Sequence, residues 1–488
     1  MFRDEQRTDV WNQIREHGIR AFAARLTPTV LAEAAARAAV AIGRSPLNLA
    51  NLVWLGVAGA LAGASDFATV LTDMLRWLED QPNFGDSALG REKTRAPRRK
   101  ARGSRHSPHR RDRTLVSEEA FCKARARMPW EFWLSLIALL VELFQVEHLE
   151  RLKFHGFRLL AMDGTEIDLP NWAALRTHFG QAKNKSGQHK PQARMVMLQF
   201  PLVRLPYRYE LTPLSVGENT TARRLVQHLQ ALDLVLLDAG FWSYGLLCDI
   251  HQRNASFALR KKSGLKFRTL RKLGRDDHLV EWTPCDSRGQ WRGEGLPPSI
   301  RLRVIRYQVP GYRVQELVTN VCDPRQISHA DWVRLTTDCE QGGRFTPGVF
   351  HRRWEIETTD RELKIEQGLE QHLRSRTPAS IQYEVASHVV LYLLVRWMIV
   401  EAAAKHGIDP LQLSFQHALR ELQQVRAALV IAAPDWVRTL LARWLDRIAK
   451  HLIPFRPGRH YVRKKKSTNY KRKSNTSKPT TTTKPKQG

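Results

Sequence analysis

The spacing of apolar positions along the chain changes character twice. From about residue 8 to 85 they recur at helical intervals. The Ala-rich TVLAEAAARAAVAI and DFATVLTDMLRWLED, which opens on a capping Asp66, read as helices. VSEEAFCKARARMPWEFWLSLIALLVELF keeps that period. The runs then shorten. GFRLLAMDG, QARMVMLQFPLV, YRYELTPL and DLVLLDAGF read as strands, with the amphipathic helix ENTTARRLVQHLQAL before the last of them. Strand, strand, strand, helix, strand predicts a mixed sheet with at least one parallel crossover. Strand-like pieces continue from about Phe257 to Thr319 (HLVEWTPC, IRLRVIRYQV, RVQELVTNV), with turns at GRDD, SRGQ and PGY. VFHRRWEIETTDRELK, Val349 to Lys364, and the apolar runs to about Ile453 return to helix, and no internal repeat is visible.

Charge changes this picture at two places. The chain has 488 residues and a net charge of +30, of which residues 91–113 hold +9 and residues 456–488 hold +12. Neither segment has the large apolar residues needed to bury a core, so both are expected as flexible basic arms. Positive charge concentrated outside the core points to a polyanion, nucleic acid before an anionic membrane. The length predicts two to four domains. The most apolar run, VASHVVLYLLVRWMIVEAAA, is broken by Arg396 before it could span a bilayer, and MFRDEQRTDVWNQ lacks the apolar core of a signal peptide. The five cysteines form no C-x-x-C pair, which argues against a zinc site or disulfide framework and for a reducing compartment.

Two aspartates share a context. Asp163 and Asp238 each follow an apolar strand and precede a small residue. Strand ends are where catalytic groups collect in α/β sheets, and paired carboxylates suit Mg²⁺ or Mn²⁺. Each alone is equally at home starting a turn. In VFHRRWEIETTDRELK, a rotation of about 100° per residue brings Phe350, Arg353, Glu357 and Lys364 within about 60° of one another, with Glu355, Glu362 and Glu366 on the far side. Glu357 is therefore preferred over Glu355, Asp360 and Glu362 as the acid of interest. The same geometry fits an intrahelical Arg353–Glu357–Arg361 network that stabilises the helix by about 0.2–0.5 kcal/mol per pair.

That stretch resembles the Tyr-x2-Arg-x3-Glu-x6-Lys signature of a large group of bacterial insertion-sequence DDE transposases, matching its spacing at Phe350, Arg353, Glu357 and Lys364. LLAMDGTEIDLP…HFG resembles the family's first-Asp block, and VGENTTARRLVQHLQALDLVLLDAGFWS its second. LRSRTPASIQYEVASHVVLYLLVRWM resembles the helix after the signature. Two positions depart: Phe350 stands for Tyr, and Asp238-Ala239-Gly240 for Asp-Arg-Gly. The resemblance spans roughly residues 30–460.

It implies an α/β fold, an RNase H-like mixed sheet flanked by helices, with a β-rich insertion, an all-helical N-terminal region and C-terminal helices. Asp163 would lie on the first strand, Asp238 on the fourth and Glu357 on a late helix, together holding two Mg²⁺ (or Mn²⁺) ions. Residues 238 and 357 lie 119 positions apart, against about 35 for one helix, one strand and two connections, which leaves room for the insertion. Arg353, Lys364, Phe350 and Arg361 would contact DNA, and Trp354, Trp282 or Trp291 could stack on a flipped base. Lys190, His189 and the KNKSG run are weaker candidates for DNA contact. The expected division is 1–90 helical and end-binding, 91–115 basic arm, 116–150 helical lead-in, 151–256 catalytic, 257–320 insertion, 321–400 catalytic, 401–455 helical and 456–488 basic tail. The implied partners are the terminal inverted repeats and target DNA, handled by a homodimer whose interface the apolar helices after Glu357 could supply. The implied compartment is the bacterial cytoplasm. A catalytically silent DNA-binding regulator, an RNase H-fold nuclease without strand transfer, and a membrane binder are the rival readings.

Overall fold

The computed structural model describes residues 22, 24–42, 47–63, 118–181, 190–285, 294–308, 314–333, 335–338, 344–347, 349–431 and 434–453. Both expected basic arms lie outside these residues, as do Trp291, His189 and the KNKSG run.

Four helices lead in: α1 (Pro28–Arg37), α2 (Leu49–Ala62), α3 (Glu118–Ala126) and α4 (Trp130–His148). The short β1 (Lys153–Phe154) pairs with β2 (Phe157–Asp168). Then come α5 (Ala173–Phe179), β3 (Gln192–Phe200), β4 (Leu205–Pro213), α6 (Glu218–Leu225), β5 (Asp233–Leu237), α7 (Tyr244–Gln252) and β6 (Ser256–Arg260). β2, β3 and β4 form an antiparallel meander, while β5 pairs parallel with β2 and β6 parallel with β5. This order, β4-β3-β2-β5-β6, is the RNase H-like sheet.

The sheet continues past β6. Strands β7 (Arg268–Gly274), β8 (Asp277–Trp282), β9 (Ile300–Tyr307) and β10 (Gln315–Thr319) add antiparallel in the order β10-β9-β8-β7. The strand-rich insertion is thus hydrogen-bonded onto the edge of the main sheet. Its expected start at residue 257 falls inside β6, which still belongs to the parallel part. After α8 (His329–Val333), β11 (Leu335–Asp338) pairs with β12 (Arg344–Pro347).

Both faces of the sheet are covered around β2 and β5, which explains why these strands read as unbroken apolar runs. Leu160, Met162, Val235 and Leu237 face a large core shared with the helices. Leu159, Ala161, Leu234 and Leu236 face a smaller one containing Trp332, Val349, Phe350 and Ile356.

The chain closes with α9 (Glu355–Arg361), α10 (Leu369–His372), α11 (Pro378–His406), α12 (Phe415–Ile431) and α13 (Pro434–Ala449). α11 starts at Thr377, whose side chain accepts from Ser380 N, with Pro378 at the first turn, and ends on a left-handed Gly407. It is apolar nearly all round, as a central helix must be. By length and composition two helical stretches, 130–152 and α11, could cross a membrane, so Arg396 does not shorten the run as expected; 94% of the apolar window of α11 is buried inside the chain. That burial also leaves α11 no face for the expected dimer contact. α2 packs on α11, where a Cβ at Gly56 would collide with Ser387 Oγ. Buried almost throughout, α2 offers no side to DNA.

Candidate active site

Strand geometry aims the two aspartates. Side chains alternate along a strand, so Asp163 shares a face with Leu159 and Ala161, and Asp238 with Leu234 and Leu236. That face carries the smaller core. β2 and β5 are parallel neighbours with Met162 opposite Leu237, so the next residues, Asp163 and Asp238, lie level on adjacent strands about 4.8 Å apart.

The segment that meets them is not the single helix its periodicity predicts. Val349–Trp354 is 3₁₀, Glu355–Arg361 is α, and Glu362–Glu366 is a π-turn closed by Gln367 N donating to Glu362 O at 2.8 Å. Val349, Phe350 and Ile356 anchor the first part in the smaller core. Glu362 and Leu363, both buried, anchor the last. The π-turn adds one residue to the winding between these anchors, and Gly368 follows in the left-handed region at φ +77°.

Arg353 emerges between the anchors. Its guanidinium lies 4.0 Å from Asp163 Oδ2, 3.8 Å from Asp238 Oδ1 and 3.6 Å from Glu357 Oε1. Three carboxylates from three elements surround one buried cation, at distances too long for hydrogen bonds. The Arg353 side chain is 8% exposed, whereas those of Asp238 and Glu357 are 47% and 44% exposed and reachable from solvent.

The field is acidic. Burial pushes the Asp163 carboxyl up to about 6, helped by Glu218 and Asp238 and opposed by the Gly164 N–H and Arg353. Gly164 N donates to Asp163 Oδ1 at 2.9 Å. Asp360 is pushed up to about 7, by burial first and then by the charge of Asp163. Glu218 is also raised, by burial and by Asp238 and Glu166. Its carboxylate lies against Gly164, where a Cβ would overlap it.

A family model described as a transposase DDE domain matches residues 155–394, a span that holds all three carboxylates and Arg353. The chain carries the DDE domain of the insertion-sequence transposases. It is 26% identical over 343 residues to the transposase InsG for insertion sequence element IS4 from Escherichia coli (strain K12), covering 68% of this chain and 72% of that protein. A cryo-EM structure of the piggyBac transposase synaptic complex with hairpin DNA aligns at 12% identity with a TM-score of 0.31, over 62% of this chain and 58% of that one.

Within this DDE domain the remaining expected residues scatter. Lys364 stands in the π-turn and is engaged by other groups than the three carboxylates. It donates to Glu166 O and pairs with Glu370 at 3.2 Å. With Glu166, Asp168, Arg194 and Glu218 it lines an open cleft of about 570 Å³. Arg361 is exposed and pairs with Glu366 at 3.3 Å. Trp354 is 49% exposed, with the Arg353 guanidinium 5.2 Å from its ring centre. Two expected DNA contacts are buried instead. Phe350 is 7% exposed and packs in the smaller core, with no surface for DNA. Trp282 is buried edge-on against Trp242 and Tyr244, at 5.3 and 5.1 Å, and cannot hold a flipped base in this arrangement.

Periodicity passes over two acids of the DDE domain. Asp360 lies only about 20° outside the arc drawn through Arg353 and Glu357, so a wider arc would include it. Glu218 heads α6 inside the VGENTT run, and only its seat on Gly164 reveals that it faces the aspartates.

Proposed function

We propose that this chain is a DNA transposase that cleaves the ends of its own insertion sequence and joins them to target DNA, with Asp163, Asp238 and Glu357 holding two divalent ions. One observation carries the reading: carboxylates from β2, from the residue that follows β5 and from α9 converge within 4.0 Å of a single guanidinium. The donor set suits Mg²⁺ or Mn²⁺, because all three ligands are hard oxygens and the cation already at their focus is a positive charge. When bound, such ions would activate a water or a DNA 3′-OH and stabilise the leaving oxygen.

The chain's own residues do the rest. β2 and β5 hold their aspartates rigidly, and the buried anchors on either side of Arg353 fix the height of Glu357. Arg353 balances three negative charges in the free protein and is placed to take a backbone phosphate beside them. Lys364 and Arg361, held by Glu370 and Glu366 in the free protein, would have to exchange those partners to reach a phosphate. Trp354, exposed next to Arg353, is the one expected stacking residue with an open ring among those described. The substrates are the terminal inverted repeats and target DNA in the bacterial cytoplasm, and a homodimer handles the two ends.

The test is strand cleavage of a duplex carrying the element's terminal repeat, with Mg²⁺ or Mn²⁺. Asp163→Asn is expected to lose activity by on the order of 10³-fold while still binding the duplex. Equal behaviour of variant and wild type would replace the enzyme reading with that of a silent DNA-binding regulator. Cleavage without joined target DNA would reduce it to a nuclease.

A further inference from the structure

Residues 260–275, RKKSGLKFRTLRKLGR, hold eight Lys and Arg and no acid. They run from the end of β6 through a turn and along β7, the outermost strand of the sheet. Nearly every residue of β7 is exposed. Two of the eight cations are spent locally, Lys261 on Glu316 at 2.7 Å and Arg268 on Glu281 at 2.5 Å. Among the described residues Lys262, Lys266, Arg271, Lys272 and Arg275 have no ion-pair partner.

Charge on an edge strand has an ordinary purpose, since it discourages pairing with another chain. One or two lysines accomplish that. Five unpaired cations with no interleaved acid exceed it, and their location is specific. Trp242, four residues after Asp238, donates from Nε1 to Arg260 O at 2.7 Å, and its ring lies 6.4 Å from that of Phe267. The basic segment therefore begins beside the loop that carries Asp238 and leads away from it.

Resting on the transposase reading, we propose that residues 260–275 form a phosphate rail that holds the backbone of the substrate DNA leading into the active site. β7 between Arg268 and Lys272 covers about 13 Å at roughly 3.3 Å per residue, close to the axial length of four base pairs. Contacts of this kind set position and affinity and carry no sequence information.

The experiment compares the full-length chain with a Lys262→Gln, Lys266→Gln, Arg271→Gln, Lys272→Gln quadruple variant. Binding to a fluorescent duplex of arbitrary sequence is measured across a salt series. Each lost phosphate contact lowers the slope of log affinity against log salt by about 0.9, so the variant is expected to lose about 3–4 from its slope. A charge-keeping variant, Lys262→Arg, Lys266→Arg, Arg271→Lys, Lys272→Arg, should keep the wild-type slope. All four side chains are exposed, so thermal melting should match wild type and exclude misfolding. A glutamine variant with the wild-type slope overturns the rail and leaves the carboxylate site untouched. A wild type without salt-dependent DNA binding overturns both readings.

Discussion

The stretch from Val349 to Glu366 builds two carboxylate clusters on opposite sides, and they differ in every physical respect. On the inner side Glu362 accepts from Arg204 at 3.1 Å, from the Tyr392 hydroxyl at 2.7 Å and from Arg396, while Glu355 pairs with Arg204 at 2.7 Å. The side chains of Arg396 and Glu362 are 0% and 2% exposed. On the outer side Arg353 faces three carboxylates and hydrogen-bonds to none, and two of them are open to solvent. A cluster whose charges are hydrogen-bonded and sealed is built to hold a shape. One whose charges converge without satisfying each other, with a path to solvent, is built to receive something. Residue type does not separate them, since both are built from Glu and Arg; helical phase puts Glu355 and Glu362 on the side away from Glu357 but does not say which side is sealed.

Mutation can break this contrast. Glu362→Gln leaves Arg204 and Arg396 buried without their shared anion, and a loss of about 3–5 kcal/mol in unfolding free energy is expected from chemical denaturation. Glu357→Gln should leave stability nearly unchanged. Similar losses in the two variants would erase the distinction between the clusters.

Acid should act on the two clusters in opposite directions. Burial alone would raise Glu362, but Arg396 and Arg204 pull it below its ordinary value, so its contribution is present above about pH 4.5 and is lost as pH falls. Asp163 is raised from 3.8 to about 6, so its favourable contribution is complete below about pH 4 and is lost as pH rises through 6. Without divalent ions, wild type should therefore become less stable relative to Asp163→Asn between pH 4 and 7. The expected loss across that window is about 2–3 kcal/mol, read from denaturation at each pH. A stability difference that stays flat with pH would contradict this assignment of Asp163.

The smallest effect sharpens the role of the central cation. A positive charge about 4 Å from each carboxylate opposes a second cation at the same place. Arg353→Gln should let the DNA-free protein bind Mn²⁺ about tenfold more tightly, as read by electron spin resonance titration, whereas Arg353→Lys should stay near wild type. Weaker Mn²⁺ binding by folded Arg353→Gln would show that the guanidinium assists the metal.

The strands and their order are legible in the sequence because a sheet covered on both faces writes continuous apolar runs, and alternation along β2 and β5 carries the direction of Asp163 and Asp238. The spacing of Arg353 and Glu357 is legible for the same local reason. What local pattern cannot supply is partnership. Glu362 depends on Arg204, 158 positions away, and on Arg396, 34 away. The π-turn at Glu362–Glu366 changes the winding just where Lys364 stands, which no helical wheel represents. Phe350 reads as a surface residue because a helical wheel gives its face but not the core beneath that face.

The missing Cβ of Gly56 has a consequence for how such a chain can change over generations. Because α2 sits against Tyr383 and Ser387 of α11, the N-terminal segment is fitted to the interior of the DDE domain. Exchange of that segment with a related element would have to bring a matching pair of small surfaces, at 56 and at 387. The codons for 56 and 387 are thereby bound to a common inheritance, although more than three hundred others separate them.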